Sequence, residues 1–254
     1  MFPDYQSALS HARGGGYENE RIAAVVRAKT EWMAAHAGGC DAFTPPVSRA
    51  TLAAAIVLAE ALRPERRALR VLDFGGACGA HYFTSRQLAP GLRARWCVVE
   101  TAPMIAAARS LEDDSLIFAG SVAAARSALG EVDLAFSSGA LQYLDEPQSG
   151  LRQLLASGAR VLGLTRLALT PGPPFVWVQK SRLSDNGPGP MPPGFRDGTA
   201  VYPITILNRE RFERTLRADY EIACYRDESS DQASPRGRIL GSSYLCLRKE
   251  PEQA

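Results

Sequence analysis

Three short stretches of this sequence combine residue types that can hold a nucleoside. The first, VLDFGGACGAHYF at 71–83, carries an apolar strand-like run with Asp73 inside it, followed by Gly75, Gly76, Ala77, Cys78 and Gly79. Small residues at such a bend let the backbone turn sharply and come close to a ligand, as where a strand feeds a helix beneath a nucleotide. The second stretch, RWCVVE, ends in Glu100, 27 positions after Asp73. A carboxylate at the end of the second strand can accept hydrogen bonds from both ribose hydroxyls. Thr101 and Met104 follow in a turn and helix start, with Met104 as an apolar neighbour for the base. The third, VDLAFSSGALQYL, ends in Ser137, Ser138, Gly139 and Ala140, whose carbonyls can hold a polar cofactor tail. Asp133 opens that strand on the side away from the chemistry and reads as structural.

These stretches need a scaffold, and the pattern around them predicts one. From Leu69, short apolar runs alternate with helical segments, the sequence form of a parallel sheet covered on both faces. Strands are expected at RVLDFGG, RWCVVE, SLIFAG, VDLAFSSG and ARVLGLTR, with helices beginning near Ala80, Pro103, Val122 and Glu146. After Thr170, PPFVWVQK and SSYLCLRK alternate as an antiparallel pair would; between them lie the Pro/Gly-rich LSDNGPGPMPPGFRDG and a helix around Arg209–Leu216. The expected class is α/β, with an N-terminal helical cap at 1–68 and a Rossmann-like domain at 69–250 carrying an insertion around 181–203. In the cap, Ile22, Val25, Val26, Trp32 and Met33 recur at helical spacing, and Ser48 is an expected N-cap for the helix that follows Pro45-Pro46. Tyr143, Trp177, Gln179 and Tyr202 fall where an acceptor pocket would form.

Bulk properties narrow the function classes. With 29 basic and 27 acidic side chains the net charge is +2, so no overall field draws the chain to nucleic acid or an anionic membrane. A small, roughly neutral substrate fits better. The odd count of five cysteines, with no CxxC pair, argues against a disulfide framework and a structural zinc site, and no metal is expected. The longest apolar stretch, Ala50 to Leu62, is too short to span a bilayer, and the first residues lack an apolar signal core; a cytoplasmic location is expected. The sequence sets no oligomeric state, and a homodimer is compatible with it.

YENERIAAVVRAKT, VLDFGGACGAHYF, VVETAPM and SSGALQYLDEP, taken in that order, make the chain resemble a family of class I S-adenosylmethionine-dependent methyltransferases often found among surface-polysaccharide or other biosynthetic genes. The likeness runs from about Tyr17 to the last strand. It implies the seven-stranded class I fold with an antiparallel hairpin last, S-adenosylmethionine as donor with S-adenosylhomocysteine as product, and Asp73, Gly75, Gly79 and Glu100 around the cofactor. Ala77 and Cys78 depart from a more glycine-rich loop. Methyl transfer asks for an aligned acceptor and excluded water. An aromatic face at Tyr17, Tyr82 or Trp177 would suit the cationic centre. His81, early in the helix after the glycine turn, is the best placed of three histidines to take a proton from an O or N acceptor, although it can equally well hydrogen-bond the loop. Arg21, Arg27 or Lys29 is a candidate partner for the cofactor carboxylate. The competing readings are an NAD(P)-dependent oxidoreductase or epimerase, weakened by Ala77 and Ala80 in the G-x-G-x-x-G frame and by the lack of a Tyr-x-x-x-Lys pair, and an inactive cofactor-binding partner protein.

Overall fold

The computed structural model of the protein describes residues 1–12, 19–36, 45–63, 67–234 and 237–250. Tyr17 lies outside them. Three helices come first: α1 (Tyr5–His11), α2 (Glu20–Ala35) and α3 (Pro46–Leu62). They take three different positions instead of forming one cap. The α1 helix packs against the strands at Phe175–Arg182 and Thr199–Asn208 and is tied to the 143–145 loop, the Tyr5 hydroxyl donating to the Tyr143 carbonyl at 2.6 Å and the Gln6 amide to Asp145 at 2.7 Å. The α2 helix, capped by the Asn19 side chain, buries Ile22, Val25 and Val26 against Cys78, Met104 and Leu183. The α3 helix is a layer of the main core, where Leu52, Ala55, Ile56 and Ala59 recur at helical spacing and pack beside Phe136 and Trp96.

Ser48 does not cap α3. The helix starts at Pro46 with Pro45 in the cap position, since proline in a first turn loses no hydrogen bond. Ser48 instead faces the sheet, its hydroxyl 3.0 Å from that of Thr165 and 3.3 Å from that of Ser138.

The alternating region folds as expected: β1 (Leu69–Phe74), α4 (Ala80–Leu88), β2 (Ala94–Val99), α5 (Ala102–Ala108), β3 (Leu116–Ala119), α6 (Val122–Leu129), β4 (Leu134–Ser138), α7 (Pro147–Leu155) and β5 (Val161–Thr170). Beyond it lie β6 (Phe175–Arg182), β7 (Thr199–Asn208), α8 (Arg209–Asp219), β8 (Tyr220–Ser234) and β9 (Gly237–Arg248). Pairing gives a seven-strand run β3-β2-β1-β4-β5-β9-β8 in which β9 alone runs opposite to the other strands. That is the expected mainly parallel sheet ending in an antiparallel hairpin. The β6–β7 hairpin is an addition, joined to the sheet only where Leu169 and Thr170 of β5 meet Leu207 and Asn208 of β7.

PPFVWVQK and SSYLCLRK therefore do not pair with each other, contrary to the sequence reading. The first pairs with β7 and the second with β5 and β8. Their true partners carry weak strand signals. Pro203 sits in β7 opposite Val178, at a stretch paired on the β6 side alone, where proline is tolerated. The β8 strand, YEIACYRDESSDQAS, is an edge strand rich in charge, a composition that discourages further pairing. Among the described residues no helix is long and apolar enough to cross a membrane.

Candidate functional site

Strand order reverses between β1 and β4, and the crevice outside the carboxyl ends of strands at such a switch point is where α/β sheets bind ligands. The loop after β1 fills one lip. Gly75, Ala77 and Gly79 all take positive φ, at 68°, 52° and 86°. A Cβ on Gly75 would lie 2.2 Å from that of Ala140, so this residue must be glycine for β1 and β4 to approach. Ala77 occupies a left-handed conformation that favours glycine, a strain of about 1–2 kcal/mol for an L residue.

Glu100 ties this loop to the next. Its carboxylate accepts from the Ala77 N–H at 3.1 Å and from the Thr101 N–H at 2.9 Å. The acid is thereby fixed at the end of β2 before any ligand arrives.

Asp73 is placed differently. It is fully buried beneath the loop and accepts from the His81 ring at 3.0 Å and from the Trp96 indole at 3.1 Å. The carboxylate packs so closely under Gly76 that a Cβ there would fall 2.3 Å from it. His81 is thus committed to bracing the loop, with its edge against Phe136, and does not line the cavity described below. Tyr82 is buried against Trp96 and Phe83. Met104 and Cys78 contact each other under α2, their sulfurs 3.6 Å apart, and Ser137 is buried in β4. Gly76 and Gly79 are packing glycines, the latter against Leu116.

A cavity of about 800 Å³ opens at the switch point. Gly75, Glu100 and Thr101 line one end, Ser138 and Gly139 the middle, and Tyr143, Gln179 and Tyr202 the far wall. Sequence reading placed all eight at the site. It missed Gly120 and Ser121 after β3, Asp145 and Glu146 before α7, Lys180 of β6, and Asp185 and Asn186 from the insertion. The βα-loop position of Gly120-Ser121 was a usable signal; the insertion residues carry none. Four of the lining side chains are acidic (Glu100, Asp145, Glu146, Asp185) and two are basic (Arg166, Lys180), so the wall favours a cationic guest.

A second cavity of about 450 Å³ adjoins it under the β6–β7 hairpin. Tyr143, Arg166, Gln179 and Lys180 line both, while Trp177, Ile204 and Ile206 supply an apolar wall to the second alone. Tyr143 donates to Gln179 at 3.2 Å, and its ring meets Tyr202 edge-on at 5.3 Å. Burial pushes the Tyr143 phenol up to about 12, with nearby Tyr202 adding to the shift and Arg166 opposing it. Tyr143 therefore stays a neutral donor at working pH. The basic groups of α2 are engaged away from both cavities: Arg21 donates to the Arg196 carbonyl, Arg27 pairs with Glu31, and buried Lys29 donates to the Ser184 carbonyl. Asp133 sits at the opposite end of β4, paired with Arg67 and with the Arg70 N–H.

No protein-family model and no curated protein matches the sequence. Solved structures do match. The CcbJ methyltransferase from Streptomyces caelestis aligns over 92% of this chain and 99% of its own, with a TM-score of 0.51 at 16% identity. The 1,6-didemethyltoxoflavin-N1-methyltransferase from Burkholderia thailandensis, solved with that substrate and S-adenosylhomocysteine, aligns over 90% and 89% at 16% identity and a TM-score of 0.45. At such identity the likeness is one of architecture, and it agrees with the strand order above: the chain has the Rossmann-like fold of class I methyltransferases.

Proposed function

We propose that the larger cavity binds S-adenosylmethionine and that the protein transfers its methyl group to an O or N atom of a small molecule. The observation that carries this reading is the Glu100 carboxylate, held by two backbone N–H groups at the mouth of the β1–β4 crevice. A carboxylate accepts about four hydrogen bonds, so one group can grip backbone on one side and ribose hydroxyls on the other. The fit extends along the cavity. Gly75, Gly139 and Ala140 leave room beside the loop for a ligand of this size, and the surplus of acidic lining suits a ligand of net positive charge.

When bound, S-adenosylmethionine supplies an electrophilic methyl group. The chain's own task is to position the acceptor and shut out water. The β6–β7 hairpin and the 186–187 turn roof the space opposite the loop, supported by α1 and α2. Tyr143 and Tyr202 line the cavity with their protons already given, to Gln179 at 3.2 Å and to Ser181 at 2.8 Å, so each presents a phenol oxygen as an acceptor. Asp145, Glu146 and Asp185 are the lining groups able to take a proton from an acceptor hydroxyl or amine. A cavity of about 800 Å³ suits a small molecule better than a polymer.

Isothermal calorimetry with S-adenosylhomocysteine tests the reading. One binding site per chain is expected, and methylated product should appear with a suitable acceptor. A folded protein that ignores S-adenosylhomocysteine but binds NAD would refute it.

A further inference from the structure

The β5 strand breaks its pairing with β9 between Leu164 and Leu167, and Arg166 stands at the break with φ +56°. A non-glycine residue in that region persists only when its surroundings over-determine it, and such residues cluster at functional sites. Here both backbone groups are pinned by side chains. The Arg166 N–H donates to Glu228 at 2.6 Å, and its carbonyl accepts from the buried Gln142 amide at 2.9 Å. Glu228 is itself held by the Ser243 hydroxyl.

The result of this clamping is a directed cation. The Arg166 side chain runs along Gly139, so closely that a Cβ there would lie 3.4 Å from Arg166 Cβ and 3.5 Å from its Nε. That places the guanidinium on the wall shared by the two cavities. Among the described residues it forms no ion pair, in contrast to Arg67, Arg209 or Arg217. Lys180 is the other cation on this wall, and among the described residues the only acid lining the smaller cavity is Glu228, already engaged by Arg166 N–H and Ser243. Beside them stand Trp177, Ile204 and Ile206.

We propose that Arg166 is an anion anchor, and that the acceptor is a small molecule with a flat apolar body, seated against Trp177 and Ile204, and a carboxylate or phosphate that pairs with the guanidinium. The word acceptor rests on the methyltransferase reading; the anion preference does not. A guanidinium suits both anions through paired N–H donors.

The experiment begins with S-adenosylhomocysteine calorimetry on the wild type and on Arg166→Gly. Wild-type failure to bind sinks the methyltransferase reading and leaves the anion measurement to be made without it. The proposal requires equal affinity in both proteins, which separates Arg166 from the donor carboxylate. A loss of about tenfold or more in the variant assigns it to the donor carboxylate and overturns the proposal. A ligand-observed NMR screen of aromatic carboxylates and phenyl phosphates, each paired with its neutral carboxamide or phenol, then reads the anion preference. In the wild type the anionic members should outrank their neutral partners by on the order of tenfold, and the stronger anion class identifies the group recognised. Arg166→Gly and Arg166→Gln should lose the preference. The glycine variant should melt no lower than the wild type, because glycine takes a positive φ without strain. A screen in which no anion outranks its neutral partner, or a preference that survives Arg166→Gly, overturns the proposal.

Discussion

Removing the Glu100 carboxylate separates its two tasks. In the folded chain it accepts from Ala77 N–H and Thr101 N–H at 3.1 and 2.9 Å, and in the proposed complex it also accepts from the ribose. Glu100→Ala leaves both N–H groups to water, since neither Ala77 nor Thr101 is fully buried, so stability should fall by only about 1 kcal/mol. For a domain of this length that lowers Tm by about 2–4 °C. The ligand side is costlier. Hydrogen bonds to a charged acceptor contribute about 1.5–3 kcal/mol each, but two hydroxyls on one carboxylate exchange water for protein and share the same charge, leaving about 1–3 kcal/mol in total. Affinity for S-adenosylhomocysteine should therefore drop by about 5- to 150-fold. Calorimetry with the 2′-deoxy analogue completes a cycle: the missing hydroxyl should weaken binding to the wild type but add almost nothing to the loss in Glu100→Ala. A variant that binds S-adenosylhomocysteine within twofold of wild type, or an analogue that loses equally in both proteins, refutes the placement of the ribose.

Two further outcomes test the scaffold. Asp73→Ala leaves the buried Trp96 indole and the His81 ring without their shared acceptor, which should cost about 2–4 kcal/mol and lower Tm by roughly 5–15 °C in thermal unfolding; an unchanged Tm would mean the brace contributes nothing. Asp197, at the end of the insertion, accepts from Ser184 N–H and hydroxyl, Gly198 N–H and Arg182, and these bonds, the Ser184 backbone one foremost, hold its carboxyl down at about 2 against an ordinary 3.8. A depressed carboxylate stabilises the fold above its unfolded value and loses that contribution as pH falls through the folded one. The urea-unfolding difference between wild type and Asp197→Asn should be constant above about pH 5 and close between about pH 4 and 2. A difference as large at pH 2 as at pH 6 contradicts the linkage.

Most of the scaffold was legible in the residues. Strands flanked by helices on both faces must be continuously apolar, so β1 to β5 and the helices between them announce themselves by composition. The glycine bend and Glu100 were legible for a related reason: close backbone approach and a strand-end carboxylate demand particular residue types at particular spacing. Strands that face water are another matter. Nothing in the charged run of β8 or the proline of β7 distinguishes a strand from a loop, because their stability comes from the partners they meet and not from their own pattern.

What the sequence alone determined was the local chemistry: a strand, a turn of small residues, an acid at the right distance, and the α/β alternation that brings them to one edge of a sheet. Tertiary structure decided which groups line the cavity. Along the chain His81 looks like a catalytic candidate and Asp73 like a cofactor ligand, yet the fold buries Asp73 and gives it to the histidine and the indole of Trp96. Arg166 looks like an ordinary surface arginine, yet a break in strand pairing and two side-chain clamps from distant segments turn it into the cavity wall. Spacing along the chain sets what a residue's neighbours in sequence can do; only packing across elements sets which polar groups are already paired, and an unpaired charge beside a cavity is what a ligand meets.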